Sequence, residues 1–168
     1  MSSYTRYKIQ DTRYKAFTLL ELLIVISITA TLSVVGVGFY VNQQKAKILE
    51  NTAQEIANYL RYAQQKSISQ EGGNQWGVHF ENPTSSSDFY ALYTFDNNCA
   101  TSSSPIETRY LPSGIEFSSP PSASSTNISF NKLTGTNCSE TSQSLVIQST
   151  SSNATKTISV SSQGLITY

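Results

Sequence analysis

Three groups of residues in this 168-residue chain have side chains suited to chemistry. The first is Lys15-Ala16-Phe17-Thr18-Leu19-Leu20-Glu21, where one carboxylate stands near the front of a long apolar run. A carboxylate at membrane depth costs a few kcal/mol and persists where something compensates it. Glu21 therefore has two readings: it accepts a cationic partner, or it complements the positive end of the helix dipole, worth under about 1 kcal/mol. The second group is the cysteine pair, Cys99 and Cys138, which forms a disulfide in an exported domain or stands as two thiols. The third is His79, the single histidine. With no His/Cys/Asp cluster around it, no zinc site is expected. No Gly-x-Ser-x-Gly, His-Glu-x-x-His or catalytic triad is present, so no catalytic residue, enzyme activity, metal or cofactor is expected.

The elements that position these residues fall into four regions. Residues 1–16 are short, polar and basic. Residues 17–41 are apolar apart from Glu21 and a few small or hydroxyl residues, about the 20 residues needed to cross a hydrocarbon core. This exceeds the h-region of a cleaved secretory signal, about 7–15 residues. Residues 42–70 carry one helical stripe: Leu49, Ala53, Ile56, Leu60, Ala63 and Ser67 follow each other at three- and four-residue intervals. No proline interrupts Phe17 to Gln70, so one long helix is predicted, stopped at Glu71-Gly72-Gly73-Asn74. Gly36 and Gly38 either let it bend or allow close helix packing.

Residues 71–168 read as short strands. Trp76, Val78 and Phe80 alternate on one face, and Phe89 to Phe95 is rich in aromatics. Five more runs follow, at 107–111, 114–117, 127–130, 144–148 and 156–160, with a terminal hairpin turn at Ser161–Gly164. Trp76, Phe89, Tyr90, Tyr93, Phe95 and Phe117 are read as core and sheet residues, and His79 as a surface or half-buried strand residue. Serine and threonine make up roughly 40% of residues 84–168, a bias that points to long polar loops rather than a dense core. The fold class expected is α+β, a long N-terminal helix packed on an antiparallel β-sheet domain.

Net charge is zero but uneven. Up to Ala16 four basic residues face one acid; from Asn42 onward seven face nine. A basic front end suits the cytoplasmic side of a membrane. A weakly acidic body does not suit a phosphate backbone, so no nucleic-acid partner is expected.

The stretch Ala16-Phe17-Thr18-Leu19-Leu20-Glu21, behind a basic leader and ahead of a hydrophobic helix, resembles the processing site of type IV prepilins and type II secretion pseudopilins. The resemblance implies cleavage between Ala16 and Phe17 by a prepilin peptidase, N-methylation of Phe17, and recognition and assembly through Lys15, Thr18, Leu19, Leu20 and Glu21. The family's usual residue before the cut is glycine; Ala16 departs from it. The new amino group of Phe17 in a neighbouring subunit would be the partner of Glu21 and would set the axial register.

The helix end and first strand, with Leu60, Ala63, Gln64, Ser67 and Ile68, are similar to the minor pseudopilin H and minor pilin T group, with Gln and Ser where Arg and Ala are commoner. The closing Thr157–Tyr168 is similar to that group's last strand pair. The resemblance implies a structural minor subunit of a type II secretion pseudopilus or a type IV pilus. Its partners would be the prepilin peptidase, other (pseudo)pilin subunits and an inner-membrane assembly platform. The leader would be cytoplasmic, the anchor in the inner membrane and the C-terminal domain periplasmic or extracellular. The alternative is an adhesion or DNA-uptake minor pilin at a pilus tip. DNA binding in the group depends on basic residues in the C-terminal tail; after Gly164 this chain has neither Lys nor Arg, so that activity does not carry over.

Overall fold

The computed structural model describes residues 17–95 and 105–168, without the side chains of residues 34–42. The chain divides into two compact units, Met1–Val41 and Asn42–Tyr168. A 50-residue helix, α1 (Leu19–Ile68), belongs to both.

In the first unit, the described side chains of α1 run from Leu19 to Ser33 and are exposed throughout. Among the described residues no helix is long and apolar enough to cross a membrane. Gly36 and Gly38 lie within α1, whereas Lys15, Ala16 and Cys99 lie outside the described residues.

In the second unit, α1 ends at Ile68, and the left-handed residue that follows is Gln70 (φ 53°) rather than a glycine. A single 3₁₀ turn, Glu71–Gly73, leads into eight strands: β1 (Gln75–Asn82), β2 (Phe89–Phe95), β3 (Glu107–Tyr110), β4 (Ile115–Ser119), β5 (Ser124–Phe130), β6 (Gln143–Ser149), β7 (Thr155–Val160) and β8 (Ile166–Thr167). They form two four-stranded antiparallel sheets, ordered β3-β2-β1-β5 and β4-β6-β7-β8.

Period-two alternation explains both inner faces. In the first sheet Trp76, Val78 and Phe80 stand opposite Thr94, Leu92 and Tyr90 on one side and Phe130, Ile128 and Thr126 on the other. In the second, Leu145 pairs with Ile158 and Phe117 with Ile147. All six residues of the helical stripe are buried, and Ala57 and Tyr59 widen it, so that one hydrophobic core joins α1 to both sheets. Trp76, Tyr90, Phe95 and Phe117 are buried, whereas Phe89, Tyr93 and His79 are half-buried.

The hydroxyl bias does not stand for loops over a weak core. Much of it decorates the outward faces of strands, as at Ser125, Thr155 and Thr157, or is buried, as at Ser129 and Ser149, while the inner face stays aliphatic and aromatic. Composition averages over both faces of a strand and cannot separate them.

One irregularity links the sheets. The β4–β6 register shifts between Phe117 and Ser119, which takes backbone groups out of the ladder. The Asp88 carboxylate accepts the Phe117 N–H at 2.6 Å, and the Asn82 amide donates to the Phe117 carbonyl at 2.9 Å and that of Pro120 at 3.0 Å. Side chains at the two ends of the β1–β2 connection thus hold the bulge.

Candidate processing and assembly site

At the front of α1, Thr18 acts as the N-cap. Its hydroxyl accepts the Glu21 N–H at 3.2 Å and its carbonyl accepts the Leu22 N–H, also at 3.2 Å. Thr-x-x-Glu is the pattern of a capping box, in which the glutamate reaches back to the N-cap N–H. Only the threonine half forms here, and the Glu21 carboxylate has no hydrogen-bond or ion-pair partner among the described residues. Phe17, Leu19 and Leu20 around it are 77%, 81% and 70% exposed.

The remaining polar side chains from Leu19 to Ser33 are handled differently. Ser27 donates to the Leu23 carbonyl at 2.7 Å, Thr29 to Val25 at 2.9 Å, Thr31 to Ile28 at 2.8 Å and Ser33 to Thr29 at 2.7 Å. Each hydroxyl is satisfied inside the helix, as an apolar environment requires. Glu21 is therefore the one polar side chain of this segment with its hydrogen-bonding capacity left for something outside the described chain.

At the other end of α1, three polar residues clasp the body. The Ser67 hydroxyl bonds to both backbone groups of Trp76. The Gln64 amide donates to the carbonyls of Gly135 (2.8 Å) and Gly164 (2.9 Å), and Arg61 donates to that of Ile166 at 3.2 Å. A Cβ at Gly135 would sit 2.7 Å from Ile68, so that loop lies directly on the helix. The two departures from the family pattern, Gln64 and Ser67, thus have a local reason here: they fasten the last strand pair and the first strand to the helix.

A further cluster was not visible in the sequence. Arg109 on β3 donates to Glu107 at 2.9 and 2.8 Å and to Glu55 of α1 at 3.1 Å, with its guanidinium 5.0 Å from the Tyr59 ring. Tyr90 OH also donates to Glu55, at 3.1 Å. Burial, with the Glu107 charge adding to it, pushes the Tyr59 hydroxyl up to about 12. Burial first, then Glu55, raises Tyr90 as well, and hydrogen bonding to Glu107 raises Arg109.

The other sequence candidates lie apart from these sites. His79 is hydrogen-bonded through Nδ1 to Asn127 Oδ1 at 2.6 Å, has Glu81 3.4 Å from Nε2, and packs edge-on against Tyr93. Among the described residues no group of three or more His, Cys, Asp or Glu is arranged to hold a metal. Cys138 is disulfide-bonded.

A long N-terminal helix whose second part packs on an antiparallel β-domain is the pilin-like α+β fold. The sequence profile described as the prokaryotic N-terminal methylation motif matches residues 11–37, and that described as type II transport protein GspH matches residues 52–164. The chain belongs to the GspH family, as a type IV pilin-like minor pseudopilin. Two crystal structures of the type IV minor pilin FimU of Pseudomonas aeruginosa strain PAO1 are similar in fold. The one in space group P21 has a TM-score of 0.51 at 15% identity, covering 71% of this chain and 86% of that chain. The one in P65 has a TM-score of 0.49 at 15% identity, covering 71% and 90%. No curated protein matches the sequence.

Proposed function

We propose that this chain is a structural minor subunit, cleaved between Ala16 and Phe17, N-methylated on Phe17, and assembled with sibling subunits into a type II secretion pseudopilus or a type IV pilus. In this reading residues 1–16 are a cytoplasmic leader removed by a prepilin peptidase. Residues 17–41 anchor the precursor in the inner membrane and later form the filament core. Residues 42–70 join that helix to the body, and residues 71–168 form the β-domain on the periplasmic or extracellular side. A disulfide between Cys138 and Cys99 holds the body's loops. Type II secretion and type IV pilus systems share this anchor.

The observation that carries the reading is the Glu21 carboxylate, without a partner among the described residues, in a stretch where the hydroxyls of Ser27, Thr29, Thr31 and Ser33 are bonded within the helix. Left alone in hydrocarbon it costs a few kcal/mol. Beside the methylated amine of a neighbour's Phe17 it forms a charge pair in low dielectric, where loss of either partner is strongly unfavourable. The helix is then stable in the filament at one axial offset.

The test is Glu21→Ala in the full chain. The expected result is normal removal of the leader, with mature protein retained in the membrane fraction and absent from sheared filaments. Incorporation at the wild-type level would overturn the register role of Glu21.

A further inference from the structure

We propose that the groove between α1 and β3 is a docking cleft for a lysine or arginine side chain presented by another pilin-class subunit. The proposal rests on the assembly reading above and adds the chemistry of one contact.

The groove has a volume of about 530 Å³, within the range of about 300–1,000 Å³ typical of binding sites. Its charged groups are Glu55, Glu107 and Arg109, two carboxylates to one guanidinium. Arg109 is held between the two carboxylates: Nε and Nη2 lie on Glu107 and Nη1 donates to Glu55. These contacts balance its charge and fix both carboxylates in place. Each uses Oε1 for these bonds. The Oε2 atoms accept no hydrogen bond among the described residues, and the two side chains remain 52% and 44% exposed. Two preorganised acceptors with a surplus negative charge select a cationic donor and repel an anion.

The aromatic wall points the same way. Arg109 already lies over Tyr59, and Lys66 lies 5.0 Å from the Tyr62 ring and 4.5 Å from that of Trp76. Cations on ring faces are the packing this side of the domain uses, and each such contact is worth about 0.5–1 kcal/mol when exposed. Tyr62 is still 45% exposed at the groove.

The occupant is a protein segment rather than a small cation because the groove does not stop at the carboxylates. Asn51 is shared with a second depression, of about 290 Å³, lined by Gln44, Lys47 and Ile48. The two form a track along the helix, with Ile48 exposed for an apolar contact beyond the acidic end. A chain segment carrying one basic side chain fits that length and order.

The experiment places a photo-cross-linking residue at Asn58 in the full chain, co-expressed with its sibling pilin subunits, and maps adducts by mass spectrometry. A second position, Ile24 in the N-terminal helix, reports assembly independently. The expected adduct at Asn58 lies within a few residues of a Lys or Arg of a sibling subunit. Glu55→Gln with Glu107→Gln lowers its yield by about fivefold, the scale of one partly exposed charge pair, and leaves the Ile24 adduct and the thermal unfolding midpoint in place. Adducts on an acidic or uncharged segment, on a non-protein ligand, or undiminished in the double variant overturn the docking proposal while Ile24 capture upholds assembly. Loss of sibling capture at Ile24 in the unsubstituted groove overturns the assembly reading and the proposal with it.

Discussion

The Ser67 hydroxyl closes on both backbone groups of Trp76, accepting its N–H at 2.6 Å and donating to its carbonyl at 3.1 Å. Ser67 is fully buried, so this one side chain satisfies two main-chain groups where α1 hands over to β1. Ser67→Ala removes both of these bonds in a buried site, at a cost of about 1–3 kcal/mol. Urea unfolding of the variant is expected to show a lower midpoint with an unchanged m-value. A midpoint equal to wild type would show that the hydroxyl is dispensable.

Gly164 makes a sharper demand on residue type. Its φ is +83°, and a Cβ there would lie 2.2 Å from the Gly135 carbonyl oxygen and 2.7 Å from the Gln64 amide nitrogen. Gly73 also has positive φ, +72°, yet a Cβ at that position would meet nothing within 4 Å. Gly73→Ala therefore carries only the left-handed penalty, about 1–2 kcal/mol. Gly164→Ala adds an overpacking cost of about 1–3 kcal/mol and breaks the Gln64 clasp on the last strand pair. The expected order in thermal melts is wild type, then Gly73→Ala, then Gly164→Ala; the reverse order of the two variants counts against the close approach.

Asp88 gives the second unit a pH signature. Burial raises its carboxyl above the ordinary 3.8, the Phe117 N–H draws it back down, and Glu116 raises it again, with the net direction upward. A raised carboxylate disfavours its own ionisation in the folded state. The associated stabilisation is complete below 3.8 and is lost as pH rises through the folded value. Asp88→Asn keeps an acceptor for Phe117 and removes the titration. The stability of the variant relative to wild type is expected to grow in favour of asparagine as pH rises from 3.8 through the higher folded value. A difference independent of pH would show that Asp88 titrates as an ordinary surface acid.

What the sequence disclosed follows from the range over which each signal acts. The stripe from Leu49 to Ser67 repeats every three or four residues, so a helix face is legible from neighbours alone, and it is buried. The alternation of Trp76, Val78 and Phe80 is likewise local. The division of the strands between two sheets was not legible, since strand order depends on pairings such as β1 with β5 across some fifty residues. The Glu55–Arg109–Glu107 cluster lay hidden for the same reason: Arg109 and Glu55 are 54 positions apart, and only the placement of β3 beside α1 brings them together. Tyr59 was a partial clue, an aromatic beside the stripe whose burial widens the apolar face. The unpaired state of Glu21 was foreshadowed by its isolation among apolar residues, but the internal capping of Ser27, Thr29, Thr31 and Ser33 needed helical coordinates to see.

The proposed processing site yields the last prediction. Prepilin-type cleavage demands a small residue before the cut, and this chain has Ala16 where the resembling family has glycine. Restoring glycine, Ala16→Gly, is expected to leave the product unchanged and to speed leader removal in a pulse-chase. A bulky charge, Ala16→Glu, is expected to leave full-length precursor in the membrane fraction. The two variants bracket the wild type on one axis, the space available at the position before Phe17. Mass spectrometry of the mature N-terminus then decides the register: a chain that begins at methylated Phe17 puts Glu21 at the fifth position, one helical turn from the new amine. A chain that begins elsewhere, or precursor from Ala16→Glu that is trimmed as fast as wild type, removes Phe17 as the source of the partner cation and leaves Glu21 with only the helix dipole to answer.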